Sequence, residues 1–501
     1  MARYVMANRR SGKFRESEKR ASRASLDASF QSLFDANVDL IGDTQPVDDK
    51  QRRVVIFDAD PTEIAAKQAN LPVDVMLEPE ILHYTAARSQ LHPSLSPFIS
   101  VAEALPLGTG GALRVTIIGN TLPITGAEVT LFLRSTSGEA RKAAAQTSGS
   151  GVVSFDFNPV WVPTVLVVVP AGGFWSVFVR APKDGMTIDV PPLPRDGPLA
   201  WWHRAHGINH LDLNRGAGVK VGVIDTGVGP HGNLAHVVNI GAFIDGAFDP
   251  VGGADADSHG SHVCGIIGAR PAALTDFAGI APGVDLFCAR VFPPGRGANQ
   301  GDIADAIDAL SRTHGVDLIN LSLGASTPSN IERDAIVDAL ERGTLCICAA
   351  ANSGGPVEYP AAFPESVAVS ALGLEGWAPN GTLSSTRYPP EKEKYGSSGM
   401  FLANFSCFGP EVTCCAPGVG IISTVPERFG LVSPYSSMDG TSMASPAACG
   451  ALAAILSATP NYLSLPRDIN RAENARTLLK ARCADVGMAP QYQGRGVPIV
   501  P

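Results

Sequence analysis

The sequence predicts an α/β fold, a parallel sheet covered by helices on both faces, preceded by two smaller units. Three observations carry this. From about residue 197 onward, near-continuous apolar strands alternate with helical patterns, as in sheets buried on both sides. Between 105 and 182 the apolar period drops to two, with Gly, Pro and Ser between the runs, which predicts a small all-β sandwich. Residues 1–84 run β-α-β-β-α-β, the order of a ferredoxin-like α+β unit.

In the first unit, Arg3–Ala7 reads as a strand. A helix follows to about Phe34, with Leu26, Phe30 and Leu33 on one face. Strands are expected at Val38–Ile41, Arg53–Phe57 and Val73–Leu77, with Pro61 opening a helix where its missing N–H costs nothing. The second unit, 105–182, has strands around Leu113–Ile117, Ala127–Leu133, Val152–Phe155, Thr164–Val169 and Phe174–Val179. It carries no cluster of His, Cys or paired carboxylates, so a docking or structural role is expected. Residues 183–198, rich in Pro and Gly, read as a linker, and 199–501 form the main domain.

Composition narrows the function classes. A chain of 501 residues that is 45% hydrophobic can bury two or three cores. A net charge of −9 argues against nucleic acid as a partner, although eight Lys/Arg face only two Glu within residues 1–23, leaving room for a basic tail. No apolar run of the roughly 20 residues that span a bilayer stands out, so no membrane partner is expected. The start of the chain shows no apolar segment of signal-peptide type, and the nine cysteines read as buried thiols. A cytoplasmic location is the expectation, with export by another route left open.

Chemistry concentrates at strand ends and helix starts, where α/β folds place their sites. One strand ends in Asp225-Thr226-Gly227. His259 lies in the first turn of the helix opened by Asp257-Ser258. Ser442 opens a long small-residue helix, where unpaired N–H groups can stabilise a developing anion. Asn352 follows a buried strand. A serine hydroxyl attacks a carbonyl only with a base in reach, and that base needs an anion to set its tautomer. Ser442, His259 and Asp225 supply these parts, and the Ser442 N–H with the Asn352 carboxamide supplies oxyanion donors.

Taken singly, each residue has a plainer reading. Ser442 could be a helix cap, Asp225 a turn cap and Asn352 a turn residue. His259 and His262, three apart, could be a metal pair, but no third ligand stands nearby. Asp-Thr-Gly also marks aspartic proteases, which need two such loops, and only one occurs here. The four together, in this order, favour the catalytic reading.

The segments Val223-Ile224-Asp225-Thr226-Gly227, His259-Gly260-Ser261-His262-Val263-Cys264-Gly265 and Gly440-Thr441-Ser442-Met443-Ala444-Ser445-Pro446 resemble the motifs of the subtilisin-like serine peptidases (subtilases), in that family's chain order of Asp, His and Ser. The resemblance covers about 197–501. It implies a subtilisin-like sheet and a serine endopeptidase acting on protein or peptide substrates. It also implies that residues 1–84 are a propeptide, an intramolecular inhibitor whose tail Glu78–Tyr84 lies in the cleft with Tyr84 next to the scissile bond. By the same resemblance Ser322, Leu323 and Gly324 line the cleft, and Glu358 lies on the floor of the pocket for the P1 residue, where it would favour Lys or Arg. Family members usually have Gly where Ala351 stands. The stretch Ala269–Ala278 is too short for the calcium loop of many relatives, so no cofactor is expected, with calcium at another site left open. Residues 376–402 read as an inserted mobile flap. Two rivals stay open: peptide ligation or cyclisation on the same triad, and an uncleaved binding module.

Overall fold

The computed structural model describes residues 1–11, 16–33, 38–44, 52–85, 110–427 and 431–501. The expected helix end at Phe34 and sandwich start at 105–109 lie outside these residues. The N-terminal unit comprises β1 (Ala2–Asn8), α1 (Glu16–Leu33), β2 (Asp39–Asp43), β3 (Val54–Ala59), α2 (Pro61–Gln68) and β4 (Val75–Pro79), followed by β5 (Leu82–Thr85). Its antiparallel sheet has the order β2-β3-β1-β4. Alternation along β1 and β3 sends Tyr4, Met6, Val55 and Phe57 into a core with Leu26, Phe30 and Leu33. Val5, Ala7, Val54 and Ile56 face the other way and join the core of the main domain.

The second unit holds β6 (Gly111–Gly119), β7 (Leu122–Pro123), β8 (Glu128–Ser135), β9 (Ala140–Gln146), β10 (Val152–Phe157), β11 (Trp161–Val169), β12 (Val177–Arg180) and β13 (Thr187–Asp189). One sheet runs β10-β6-β13 with β7 on β6, the other β12-β11-β8-β9. Leu113, Val115 and Ile117 of the first sheet meet Val129, Leu131, Leu166 and Val168 of the second in one core, each set spaced two apart. The stretch read as a linker, 183–198, is partly strand: β13 pairs in parallel with β6, Thr187 opposite Thr116. Its Thr-Ile-Asp is too short for periodicity to reveal, and only pairing makes it a strand.

The main domain continues through α3 (Trp201–Ala205), β14 (Lys220–Asp225), β15 (Val238–Ile244), β16 (Ala247–Asp249), α4 (His259–Gly268), β17 (Asp285–Arg290), β18 (Ala298–Asn299), α5 (Gln300–Asp308), β19 (Leu318–Leu321), β20 (Leu323–Gly324), α6 (Asn330–Glu341) and β21 (Leu345–Ala349). Then come β22 (Val367–Leu374), β23 (Met400–Leu402), β24 (Val412–Pro417), β25 (Ile421–Thr424), β26 (Tyr435–Met438), α7 (Thr441–Ala458) and α8 (Ile469–Ala481), followed by short elements within 483–498. The sheet is mixed and mostly parallel, in the order β16-β15-β17-β14-β19-β21-β22-β23, with β24 also on β22. Along β14, Val221 and Val223 pack toward α4 and α7, while Ile224 packs toward α5 and α6. Helix α7 is apolar and long enough to cross a membrane by composition, against the expectation above, but 89% of it is buried in this core. All nine cysteines are free, eight of them buried.

Residues 376–402 are not the loose flap expected from their Pro, Lys and Glu content. β23 pairs with β22, Leu402 opposite Leu372. Asn404 also donates to the carbonyls of Thr386 (2.8 Å) and Tyr388 (3.2 Å), closing the segment on itself.

Candidate active site

Asp225 ends β14, the central strand of the sheet, and is fully buried. Its Oδ1 accepts from the Thr226 N–H at 2.7 Å and lies 2.6 Å from Nδ1 of His259. Asp255 sets the entry of α4: its carboxylate accepts from the Thr226 hydroxyl (2.8 Å), the Ser258 N–H (2.9 Å) and the Ser261 N–H (2.9 Å). Helix and strand end approach so closely that a Cβ at Gly260 would stand 2.1 Å from the Gly227 carbonyl oxygen, so only glycine fits after His259. Burial disfavours the His259 imidazolium, but the charge and hydrogen bond of Asp225 outweigh it and hold the pKa above its usual value. Among the described residues, His259 Nε2 has no hydrogen-bond partner.

His262 is a core histidine. Its Nε2 lies 3.1 Å from the Ile421 carbonyl and 3.0 Å from that of Ser436, and burial pushes its pKa down to about 3. The neutral ring ties α4 to β25 and β26.

Ser442 is the second residue of α7 and is buried. Its hydroxyl donates to the Ser322 carbonyl at 2.9 Å, not to His259. β14 and β19 are paired with Ile224 opposite Leu321, so Asp225 and Ser322 are the next positions on neighbouring strands. The Asp225–His259 pair and the Ser442 hydroxyl are thereby held at the ends of adjacent strands. Behind Ser442 lies a buried network: Asn320 donates to the Ser322 hydroxyl (2.9 Å), Ser322 to the Ser442 carbonyl (3.0 Å) and Ser445 to Asn320 Oδ1 (2.7 Å). Asn320 and Ser445 were not singled out from sequence. A lone amide inside the apolar strand Leu318–Leu321, and a serine one helical turn after Ser442, were the available clues.

Asn352 follows β21. Its Oδ1 accepts from the Thr441 N–H (3.0 Å) and the Thr441 hydroxyl (2.9 Å), which orients the carboxamide beside the start of α7. Ala351 before it has φ +83°, the left-handed region that a glycine occupies without strain and that costs a Cβ-bearing residue about 1–2 kcal/mol.

The cleft holds a strand of the chain itself. β5 lies between β18 and β20, antiparallel to both, with His83 opposite Ala298 and Tyr84 opposite Gly324. His83 is buried with Nε2 3.1 Å from Glu332 Oε2, and Glu78 accepts from the Ser329 hydroxyl and the Asn330 N–H, both at 2.7 Å. Thr85 stands opposite Leu323, one residue from Ser322, whose carbonyl accepts from the Ser442 hydroxyl. Motifs alone leave register open; pairing sets it. Beside β5 opens a cavity of about 490 Å³, lined by Tyr84, Gly324, Asn352, Ser353 and Glu358. The half-buried Glu358 accepts from the Ser353 hydroxyl at 2.8 Å, with its other oxygen near Gly324.

A profile described as the Subtilase family matches residues 216–496. The chain is 32% identical to Subtilisin DY of Bacillus licheniformis over 270 residues, 53% of this chain and 86% of the relative. It is 31% identical to Subtilisin Savinase of Lederbergia lenta over 265 residues (53% and 85%), and 34% identical to the halolysin-like extracellular serine protease Nep of Natrialba magadii over 286 residues (56% and 46%). The profile spans more than half of the chain, including Asp225, His259, Asn352 and Ser442, and the mostly parallel sheet agrees with it: the protein belongs to the subtilase family of subtilisin-like serine peptidases.

Proposed function

We propose that the protein is a serine endopeptidase made as an autoprocessed zymogen, hydrolysing peptide bonds through an acyl-enzyme. The observation that carries this reading is β5, an extended segment seated between β18 and β20 and running toward Ser322 and Ser442, as a bound peptide would. In the proposed reaction the Ser442 hydroxyl turns from Ser322 to His259 and attacks the carbonyl carbon while His259 Nε2 takes its proton. Asp225 stabilises the imidazolium, and the Ser442 N–H and Asn352 carboxamide hold the oxyanion. His259 then gives the proton to the leaving amine, and water repeats the sequence to release the acid.

The N-terminal unit, ferredoxin-like in strand order, is proposed as the propeptide and intramolecular inhibitor, with β5 as its product-like tail. The processing bond then lies just beyond Thr85 rather than after Tyr84. Wild type and Ser442→Ala, expressed side by side, test this. The expected result is a new N-terminus shortly after Thr85, and fluorophosphonate labelling, in wild type only. Processing of Ser442→Ala in isolation would refute it.

Because His259 must be neutral to accept the proton, turnover falls as pH drops through its raised pKa. Asp225→Asn removes the charge that raises it, so the acid limb of the kcat/KM profile moves to lower pH while kcat drops by about 10⁴-fold, the size seen for this change in related triads. Glu358 at the cavity wall favours Lys or Arg at P1. Glu358→Gln is expected to lower kcat/KM for an Arg peptide about tenfold relative to its Phe counterpart, the size of a partly exposed ion pair. Equal ratios in both enzymes would discard that role.

A further inference from the structure

The sheet β12-β11-β8-β9 turns one face away from the sandwich core, and that face is covered. Val165 and Val167 are buried there against Leu383, beside Phe132, Val169 and Phe178. Leu383 belongs to the 376–402 segment, and backbone bonds join the same two parts. The Leu383 N–H donates to the Ser176 carbonyl (2.8 Å), and the Phe178 N–H to the Gly381 carbonyl (3.3 Å). A second limb reaches β26, where the Gly173 N–H donates to the Tyr435 carbonyl (2.8 Å).

Both limbs converge on Asp439, which follows β26 and stands three residues before Ser442. One carboxylate oxygen accepts from the Ser384 hydroxyl and the Gly420 N–H, each at 2.7 Å. The other accepts from Arg387 Nε at 2.8 Å. The side chains of Arg387 and Asp439 are 3% and 7% exposed, so this charged bond is little weakened by solvent. It is a buried, charged tie on a turn that ends in glycine, a residue with few conformational preferences of its own.

We infer that the β-sandwich positions the nucleophile: docked on the 376–402 segment, it holds Ser384 and Arg387 on Asp439, and Asp439 fixes the turn that presents Ser442. The inference rests on the reading of Ser442 as nucleophile. Arg387 and Asp439 touch no reacting atom and are positioning residues. Their leverage is geometric, because a displacement of about 1 Å at a reacting group costs on the order of 10²-fold in rate.

The test compares full-length wild type with Arg387→Ala, Arg387→Lys, Asp439→Asn and Leu383→Asp. The measurements are kcat and KM on one peptide, the rate of fluorophosphonate labelling of Ser442, and an unfolding curve. Arg387→Ala is expected to lower kcat and the labelling rate by about tenfold to a hundredfold with KM nearly unchanged. Arg387→Lys recovers part of the loss, and Leu383→Asp, which breaks the contact of the segment with the sandwich, reproduces it in weaker form. A pair that only stabilised the fold would shift the unfolding midpoint and leave kcat of the folded enzyme at the wild-type value, which overturns the inference. Should Arg387→Ala not fold, Asp439→Asn, which keeps the shape of the side chain, decides by the same readings. An inert wild type overturns the nucleophile reading itself; an active wild type with an equally active Arg387→Ala overturns this inference alone.

Discussion

Replacing His259 by alanine is expected to lower turnover of an amide substrate by about 10⁶-fold, a magnitude carried over from subtilisin rather than calculated from this geometry. That corresponds to about 8 kcal/mol of transition-state stabilisation. The loss is this large because the proposed base is needed twice, once to take the proton of Ser442 and once to give it to the leaving amine. Asp225 acts only through His259, so His259→Ala also removes its contribution. The double variant His259→Ala/Ser442→Ala should therefore be no slower than either single one. Single-turnover hydrolysis of a chromogenic peptide, with circular dichroism to verify folding, measures both effects. A residual rate above about a thousandth of wild type would place the proton acceptor elsewhere.

Removing the guanidinium of Arg52 is expected to destabilise the union of the N-terminal unit and the main domain by about 3–5 kcal/mol, the cost of breaking a buried ion pair from one side. Arg52 lies two residues before β3 and its side chain is completely buried, 2.5 Å from Asp334 on α6 and 3.3 Å from Asp308 on α5. Burial alone would lower its pKa, but these two carboxylates outweigh burial and raise it. Arg52→Ala leaves both carboxylates in the interface with less compensation, although the Arg10 N–H still donates to Asp334 (2.7 Å). The pH dependence carries the same information. Burial raises the pKa of Asp334, yet Arg52 and the Ser11 and Arg10 bonds bring it below the ordinary value. A carboxylate with a depressed folded pKa contributes stability above its unfolded pKa, about 3.9, and that contribution fades as pH falls through the folded value. Arg52→Ala should thus lower the urea midpoint most at neutral pH and converge with wild type in acid. A neutral-pH loss under about 1 kcal/mol would show that the pair contributes nothing net.

The readable parts of the chain were those whose chemistry is local. Asp225-Thr226-Gly227, His259-Gly260 and Gly440-Thr441-Ser442 stand out because a strand end and two helix starts each bring their own donors and acceptors. The close approach of Gly260 to the Gly227 carbonyl explains why glycine follows His259. Alternation along β1, β6 and β8 and the apolar runs of β14 and β19 likewise expose their faces directly, since the period is a property of the backbone. The 376–402 segment reads as a loose flap because composition reports solubility, not partners. Its prolines and charges conceal Leu383 and Arg387, whose surroundings come from the β-sandwich and from Asp439.

By itself, then, the sequence determined which elements form, which faces are apolar, and which residues can carry acyl-transfer chemistry, because each depends on neighbours within one strand or one helical turn. Only the tertiary structure decided that Thr85 stands opposite Leu323, that 187–189 is a strand, and that Arg52 pairs with a carboxylate 282 residues away. Register and ion pairing between distant segments are settled when apolar surfaces come together and exclude water, and the sequence of neither segment alone contains that information.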